Sequence, residues 1–220
     1  MSEETSPGEV PDWIRALGFV DIETGRERAR SSRHRIESAV RHGIGHDQSA
    51  RDISAEHMHA LVVFTGLVTR ANGLHDGAVA ALESDNPYAA FTLLRSYAEN
   101  AAAIGYLLDR PAAMNRFWSS ERPISIGKIV SHASQPSSRF GNFKHIYGEL
   151  SQFSHPAGLS ITHSSVMSGD DWQWSSMPRF KSTDDYLAAC GWVIELADAH
   201  HHLLRHFAED FLDASPDGGE

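Results

Sequence analysis

The segment from Tyr88 to Asp109 constrains the fold more strongly than any other part of the sequence. It reads YAAFTLLRSYAENAAAIGYLLD, and its apolar residues recur at the spacing of an α-helix with one buried face. The residues on this face are Phe91, Leu94, Ala98, Ala101, Ala102 and Leu108. Because a helix of this length cannot bury such a face alone, the segment predicts a packed bundle of helices.

Further segments of the chain show the same helical period. The long helices that we expect are 24–40, 55–84, 143–154 and 182–212. A shorter helix is expected to begin at Pro111, a residue that the first turn of a helix tolerates. Ser54 is a suitable N-cap, because its hydroxyl can accept a hydrogen bond from the following turn. Pro156 is expected to end the helix before it, since the residue preceding a proline avoids helical torsion angles.

Residues 158–180 differ in character from the helices. Polar and apolar residues alternate in LSITHSSV and WQWS around a Gly-Asp-Asp turn, which indicates a small hairpin or an ordered loop. The expected fold class is all-α, a multi-helix bundle with this hairpin or loop before the last long helix. The expected organisation is a mobile N-terminal segment over 1–23, a single helical-bundle domain over 24–213 and a disordered tail over 214–220.

Composition excludes several classes of protein. The chain contains one cysteine, Cys190, which rules out an intramolecular disulfide and a cysteine zinc site. The N-terminal MSEETSPGEV is acidic where a signal peptide would be basic, and the apolar stretches are too short to cross a bilayer. We therefore expect a cytoplasmic protein that does not contact the membrane. The sequence has no glycine-rich phosphate loop, and no cofactor is expected.

Charge is unevenly distributed along the chain. The net charge of −10 argues against broad, nonspecific affinity for nucleic acids, because phosphate binding depends on clustered cations. Six arginines nevertheless lie within 26–41, in RERARSSRHRIESAVR, and such a run is typically a solvated helix face. The last helix carries a group of histidines that we expect on a solvated or interface face: His200, His201, His202 and His206.

Two helices carry polar residues among apolar neighbours, at spacings that place them on one face. Arg95 and Glu99 are four positions apart on the helix described first. Tyr147, Ser151 and His155 lie four apart on the later helix and form one polar stripe. Because an Arg and a Glu near a core need partners, we predict that the two stripes meet. They would form either a functional site or a buried network that fixes helix register.

These segments resemble an uncharacterised group of bacterial helical proteins. The shared pattern is Arg-x3-Glu, in LLRSYAENAAAIGYLLD, followed by Tyr-x2-Leu-Ser-x3-His, in YGELSQFSHP. Such proteins look distantly related to the HEPN superfamily, and the resemblance covers roughly residues 55–210. It implies a helical bundle, frequently homodimeric, that acts as a metal-independent RNase or is a degenerate relative that binds RNA or a nucleotide, in a toxin or defence system.

The HEPN nuclease motif is an arginine followed, after four to six residues, by a histidine. If His155 stands at that histidine, Leu150 and Ser151 occupy the positions of the arginine and its polar neighbour. The motif arginine is therefore absent. The resemblance gives the arginine the phosphate contact and the histidine the proton transfer, so Arg95 on the neighbouring helix is the substitute to consider.

RNA cleavage would require a base for the ribose 2′-hydroxyl and a cation for the charge that develops on the phosphate. His155 suits the first task by its ordinary pKa range. Arg95 suits the second, because its planar fork can hold two phosphate oxygens. Tyr147 or Ser151 would orient the phosphate, and Glu99 would hold Arg95 in place.

Two other sets of residues remain open as sites. Arg70 and His75 match the nuclease spacing within an apolar helix and are the secondary candidate. Two pairs of the form Glu-x-x-His or Asp-x-x-His are typical of four-helix di-metal carboxylate proteins, although Asp replaces Glu in the second pair. The residues of this di-metal alternative are Glu56, His59, Asp198 and His201.

A non-enzymatic function is a further alternative. The absent motif arginine, the acidic composition and the aromatic-rich WQWSSMPRF suit a dimerisation or partner-binding module, since Trp and Met favour interfaces. In that case the polar residues around Arg95 would be structural. The expected partner is a second copy of the chain, while RNA, a nucleotide and a protein partner are left open.

Overall fold

The computed structural model describes residues 12–44, 54–118, 123–140, 142–154, 165–168, 171–174 and 177–212. Within these ranges the chain is almost entirely helical, with a two-stranded antiparallel hairpin before the last long helix. In the hairpin, Ser165 pairs with Trp174 and Ser168 pairs with Asp171. The all-α class and the hairpin are therefore confirmed. The expected tail over 214–220 lies outside the described residues.

Helices account for most of the described residues. They are α1 (Asp12–Ala16), α2 (Ile22–Ser31), α3 (Arg33–Ile44), α4 (Ala55–Glu83), α5 (Pro87–Asp109), α6 (Met114–Trp118), α7 (Ile126–Ala133), α8 (Phe143–Ser154) and α9 (Thr183–Phe211). A 3-10 helix, Pro111–Ala113, precedes α6, and strands β1 (Ser165–Ser168) and β2 (Asp171–Trp174) lie between α8 and α9. No helix among the described residues is long and apolar enough to span a membrane.

The core of the bundle is formed by α4, α5 and α9, which pack on one another. Helices α2 and α3 cover α9, while α7 and α8 lie against α5. The apolar face expected for α5 is buried throughout, at Phe91, Leu94, Ala98, Ala101, Ala102 and Leu108. Helix α5 is therefore covered by the core helices on one side and by α8 on another.

A tight turn joins α4 to α5. Asp85 has a φ of 54°, in the left-handed region that Asp adopts more readily than most residues, and its carboxylate accepts a hydrogen bond from the Phe180 N–H at 3.1 Å. The Asn86 side chain caps α5 by accepting a hydrogen bond from the Ala89 N–H at 3.1 Å. Pro87 occupies the first turn, where a backbone N–H has no partner within the helix, so the missing N–H of proline costs no hydrogen bond.

The helix expected over 24–40 is in fact two helices, so the expectation of a continuous helix is wrong. Helices α2 and α3 meet at Ser32, which is buried. Its hydroxyl donates to the Ala29 carbonyl at 2.7 Å and lies 3.0 Å from His75 Nε2 on α4. A serine hydroxyl that bonds the preceding turn competes with the helical backbone, which accounts for the break.

A layer of buried polar side chains crosses the core between α4, α5 and α9. The Asn100 amide donates to the Leu67 carbonyl and lies 3.1 Å from His200 Nε2, while His200 Nδ1 donates to the Leu196 carbonyl at 2.7 Å. The His200 ring stacks on Tyr97, with the centroids 4.2 Å apart. His200 is fully buried, so the expectation that it belongs to a solvated face is wrong.

Burial also sets the protonation of His200. It lowers the pKa of this imidazole to about 4, because a charged ring is costly to remove from water. A proton on Nε2 would in addition face the amide donor of Asn100. His200 is therefore neutral at physiological pH, with its proton on Nδ1.

Most arginines of 26–41 form ion pairs or hydrogen bonds within the fold, although Arg28, Arg30 and Arg41 are exposed. Ion pairs join Arg26 to Glu23, Arg30 to Glu27 and Glu83, Arg33 to Asp76, and Arg35 to Asp198. Arg28 donates to the Leu17 carbonyl. The pairs with Glu83, Asp76 and Asp198 link α2 and α3 to α4 and α9, so this partly solvated face also holds helices together.

Helix α1 packs across α9. Ile14 is buried, and the Trp13 and Trp192 rings lie 4.6 Å apart between their centroids. A Cβ at Gly191 would lie 2.7 Å from the Trp13 ring, so the missing side chain allows this close approach. Part of the segment 1–23 is therefore held against the bundle at the residues that the structure describes.

Candidate functional site

Helix α8 lies against α5 and runs antiparallel to it. Phe143 and Leu150 of α8 are buried, and Phe153 stacks on Phe91 of α5 with the centroids 4.2 Å apart. Ser154, the last residue of α8, has its hydroxyl 3.3 Å from the Phe91 carbonyl and 2.6 Å from the Leu150 carbonyl. Apolar packing and the final turn of α8 thus fix the register of the two helices.

Arg95, Glu99 and Tyr147 meet between these helices and form what we term the Arg95 cluster. Arg95 donates to the Tyr147 hydroxyl oxygen from Nε at 3.1 Å and from Nη2 at 2.7 Å. The Tyr147 hydroxyl donates to Glu99 Oε1 at 2.7 Å, and Arg95 Nε lies 3.4 Å from the same oxygen. The predicted stripes therefore contact each other through three of their five residues.

The Arg95 cluster is half-buried. The side chains of Arg95 and Glu99 are 24% and 18% exposed, so both charges keep part of their hydration. The guanidinium carbon of Arg95 also lies 5.0 Å from the centroid of the Tyr147 ring. Burial, together with the hydrogen bond to Glu99, raises the pKa of Tyr147, which keeps its hydroxyl protonated at neutral pH.

Ser151 and His155 do not complete the Arg95 cluster in the described structure. The Ser151 hydroxyl donates to the Tyr147 carbonyl at 2.6 Å, one turn earlier in the same helix. His155 lies outside the described residues. The structure thus brings together Arg95, Glu99 and Tyr147, and it places Ser151 one turn further along α8.

The secondary candidate pair does not converge on one site. Arg70 is exposed, whereas His75 is 1% exposed and bonds Ser32 and the Ala29 carbonyl. Five positions apart on α4, the two side chains point to different sides of the helix. Burial lowers the pKa of His75, against the opposing effect of Asp76. His75 is therefore a neutral core residue.

The residues of the di-metal alternative are separated by their contacts. Asp198 forms an ion pair with Arg35, His201 Nδ1 lies 2.9 Å from the Arg35 carbonyl, and Glu56 is exposed at the start of α4. Across the described ranges, which include Glu56, His59, Asp198 and His201, no three His, Cys, Asp or Glu side chains are grouped to hold a metal ion. The geometry gives this alternative no support.

A second charged feature lies at the C-terminal end of α5 and was missed from the sequence. Asp109 Oδ1 accepts a hydrogen bond from Arg139 Nε at 2.7 Å, and Oδ2 lies 3.0 Å from His132 Nε2. Although burial opposes it, these hydrogen bonds hold the pKa of Asp109 below its ordinary value. Local net charge could have revealed this region, because residues 110–148 contain six lysines and arginines and one acid.

The Arg95 cluster combines groups that suit an anion. Arg95 presents a planar set of N–H donors, while the one O–H of the neighbouring Tyr147 is already donated to Glu99. Glu99 holds both groups in place by accepting from Tyr147 and pairing with Arg95. An incoming phosphate would compete with Glu99 for the guanidinium, so binding would depend on salt and on the charge at this position.

Comparison of the chain with models of protein families, with curated proteins and with solved structures finds no match in any of the three.

Proposed function

We propose that the protein is a HEPN-like helical bundle that binds RNA or a nucleotide at the Arg95 cluster, as a metal-independent RNase or a degenerate relative of one. Its setting would be a toxin or defence system in the cytoplasm, and its partner a second copy of the chain. The observation that carries the proposal is the contact between Arg95 and Tyr147, which sets an arginine beside the polar stripe of α8.

In this proposal Arg95 contacts the phosphate in place of the absent motif arginine. The 2′-oxygen of the ribose bonds to phosphorus as the bond from phosphorus to the 5′-oxygen breaks. The proton of the 2′-hydroxyl goes to His155, and the 5′-oxygen takes a proton from solvent. The products are a 2′,3′-cyclic phosphate and a 5′-hydroxyl, with the N–H donors of Arg95 stabilising the charge on the phosphate oxygens.

A second candidate function is a dimerisation or partner-binding module in which the Arg95 cluster is structural. Two contacts favour it. The Ser151 hydroxyl is engaged by the carbonyl of its own helix, and Arg95 and Glu99 form an ion pair. In that case the hydrogen bonds of Tyr147 serve to hold α8 in register on α5.

The test is RNA cleavage by the purified protein, with tRNA and total RNA as substrates, with and without a chelator. The variants are His155→Ala and Arg95→Lys, because lysine keeps the charge and loses the planar fork. Arg41→Ala is the matched control, since Arg41 is an exposed arginine on α3. Thermal unfolding of each variant is measured in parallel.

Chelator-resistant cleavage that falls at least about 100-fold in His155→Ala and Arg95→Lys, and not in the control, supports the nuclease. Cleaved ends should carry cyclic phosphate. If the wild type neither cleaves RNA nor binds it, and Arg95→Lys unfolds at a lower temperature, the structural role replaces this proposal. Cleavage that disappears only with chelator would contradict the metal-independent mechanism.

A further inference from the structure

A second stretch of this acidic protein, besides the arginines of 26–41, carries a positive net charge. Residues 110–148 contain six lysines and arginines and one acid, which gives a local net charge of +5. Since the whole chain has 19 basic and 29 acidic residues, the remainder has 13 and 28, a net charge of −15. The stretch includes α6, α7 and the first half of α8.

Contacts around Asp109 hold Arg139 and α7 at the C-terminal end of α5. Asp109 bonds Arg139 from the loop after α7 and His132 from α7 itself. Arg110 directly follows Asp109 in the chain. Lys128 lies four residues before His132 on α7, so the two side chains share a face of that helix.

The start of α8 belongs to the same region. A Cβ at Gly105 would lie 2.8 Å from the Phe140 ring, so the loop after α7 packs closely on α5. The Phe140 and Phe143 rings lie 5.4 Å apart between their centroids, and Lys144 follows Phe143 directly. We term Arg110, Lys128, Arg139 and Lys144 the α5-end basic surface.

These four side chains are accessible to a partner. All four are exposed, and only Arg139 has a carboxylate partner, Asp109, among the ion pairs of the described residues. The acid nearest on α8, Glu149, pairs with His145. The arginines of α2 and α3 differ, because most of them are neutralised by acids of the fold.

We infer that the α5-end basic surface binds the phosphate backbone of single-stranded RNA and directs it to the Arg95 cluster. This inference rests on the proposed function, in which that cluster contacts a phosphate. Lys144 and Tyr147 are three residues apart on α8, a rise of about 5 Å, so the surface and the cluster adjoin. The strongly negative remainder of the protein repels RNA and confines binding to this surface.

Fluorescence anisotropy with a labelled, single-stranded 2′-O-methyl RNA tests the inference, because the blocked 2′-oxygen cannot attack phosphorus and the probe stays intact. The test variant combines Arg110→Ala, Lys128→Ala and Lys144→Ala, and Arg139 is left in place to preserve its pair with Asp109. The matched control removes the same charge at exposed positions elsewhere, Arg41→Ala, Arg179→Ala and Lys181→Ala.

The wild type should bind with an affinity that falls steeply with salt. The test variant should bind about tenfold more weakly or worse at low salt. The slope of log affinity against log salt concentration should be smaller in magnitude for the test variant than for the wild type by about 2, because each of the three lost phosphate contacts accounts for ~0.7 of the slope. The control should behave like the wild type. Equal losses in test variant and control would overturn the inference, as would binding of the wild type only to an acidic peptide or to anionic vesicles.

The binding experiment, together with the RNA cleavage assay of the same variants, separates this inference from the proposed function. If the triple variant loses binding while Arg95→Lys and His155→Ala bind and cleave like the wild type, RNA binding by the basic surface is supported and the proposed site at the Arg95 cluster is refuted. If Arg95→Lys and His155→Ala lose cleavage and the triple variant binds RNA normally, the inference about the basic surface is refuted and the proposed function is retained. An absence of RNA binding by the wild type overturns both.

Discussion

The hydroxyl of Tyr147 is the centre of the Arg95 cluster, and its removal is the most direct test of the geometry. Tyr147→Phe eliminates two hydrogen bonds from Arg95 and one to Glu99. It keeps the ring that stacks on Phe143 and lies beneath the guanidinium. The change therefore isolates the polar contacts between α5 and α8 from the apolar ones.

The expected magnitude follows from the charge and exposure of the partners. A hydrogen bond to a charged group contributes ~1.5–3 kcal/mol when the groups are buried. Here Arg95 and Glu99 are 24% and 18% exposed and remain 3.4 Å apart, so water and the ion pair recover part of the loss. We expect Tyr147→Phe to lower the free energy of unfolding by about 1–2 kcal/mol.

Urea denaturation at neutral pH measures this difference, and Ser151→Ala is the control. Among the described residues, the Ser151 hydroxyl bonds only the Tyr147 carbonyl of its own helix, so its removal should change stability by less than about 0.5 kcal/mol. The double variant of Tyr147→Phe and Glu99→Gln should lose less than the sum of the single variants, because both act on one network. A Tyr147→Phe protein as stable as the wild type would refute the hydrogen-bonded geometry.

Two further predictions concern the core. His200 has a folded pKa of about 4 and an unfolded pKa near 6.5, so between these values the unfolded state binds the proton. The neutral His200 contributes fully to the free energy of unfolding above pH 6.5, and this contribution is lost as the pH falls towards 4, by up to ~1.4 kcal/mol per pH unit and about 3 kcal/mol in total. Urea denaturation at several pH values should show that the free energy of unfolding of His200→Gln depends less steeply on pH than that of the wild type. An unchanged dependence on pH would contradict the assignment. Gly105→Ala should destabilise by about 1–3 kcal/mol, because its Cβ would lie 2.8 Å from the Phe140 ring. Gly73→Ala places its Cβ where nothing lies within 4 Å, so it should stabilise the protein by about 0.5–1 kcal/mol. If the two glycine variants shift the unfolding temperature in the same direction, the described packing is wrong.

Features that depend on local sequence were predictable. The long helices begin at residues whose side chains accept a hydrogen bond from their own first turn, as Ser54, Asn86 and Ser182 do. Such caps and the helical period act within a few residues of one another, so one sequence contains the information. Each polar stripe was predictable for the same reason, because it is a local pattern, and the expectation that the stripes meet came from the need of Arg95 and Glu99 for partners.

Features that depend on partners from distant helices were not predictable. The break at Ser32 involves His75, which is 43 residues away. His200 lies in a run of three histidines, and it is buried because Asn100 and Tyr97 supply a hydrogen bond and a stacking surface from α5. The helical period of α9 favours burial at this position, because Ala197 lies three residues before it and Leu204 four residues after it, while the hydrogen bond and the stacking depend on tertiary packing.

Helix α5 is covered on two sides, and the two sides differ in how well they tolerate substitution. One side of the helix presents Asn100 and its apolar neighbours to the core, where almost any exchange is costly. The other side presents Arg95 and Glu99 to α8, where water still reaches the side chains. Substitutions on that outer side should therefore cost less stability than substitutions on the side that faces the core.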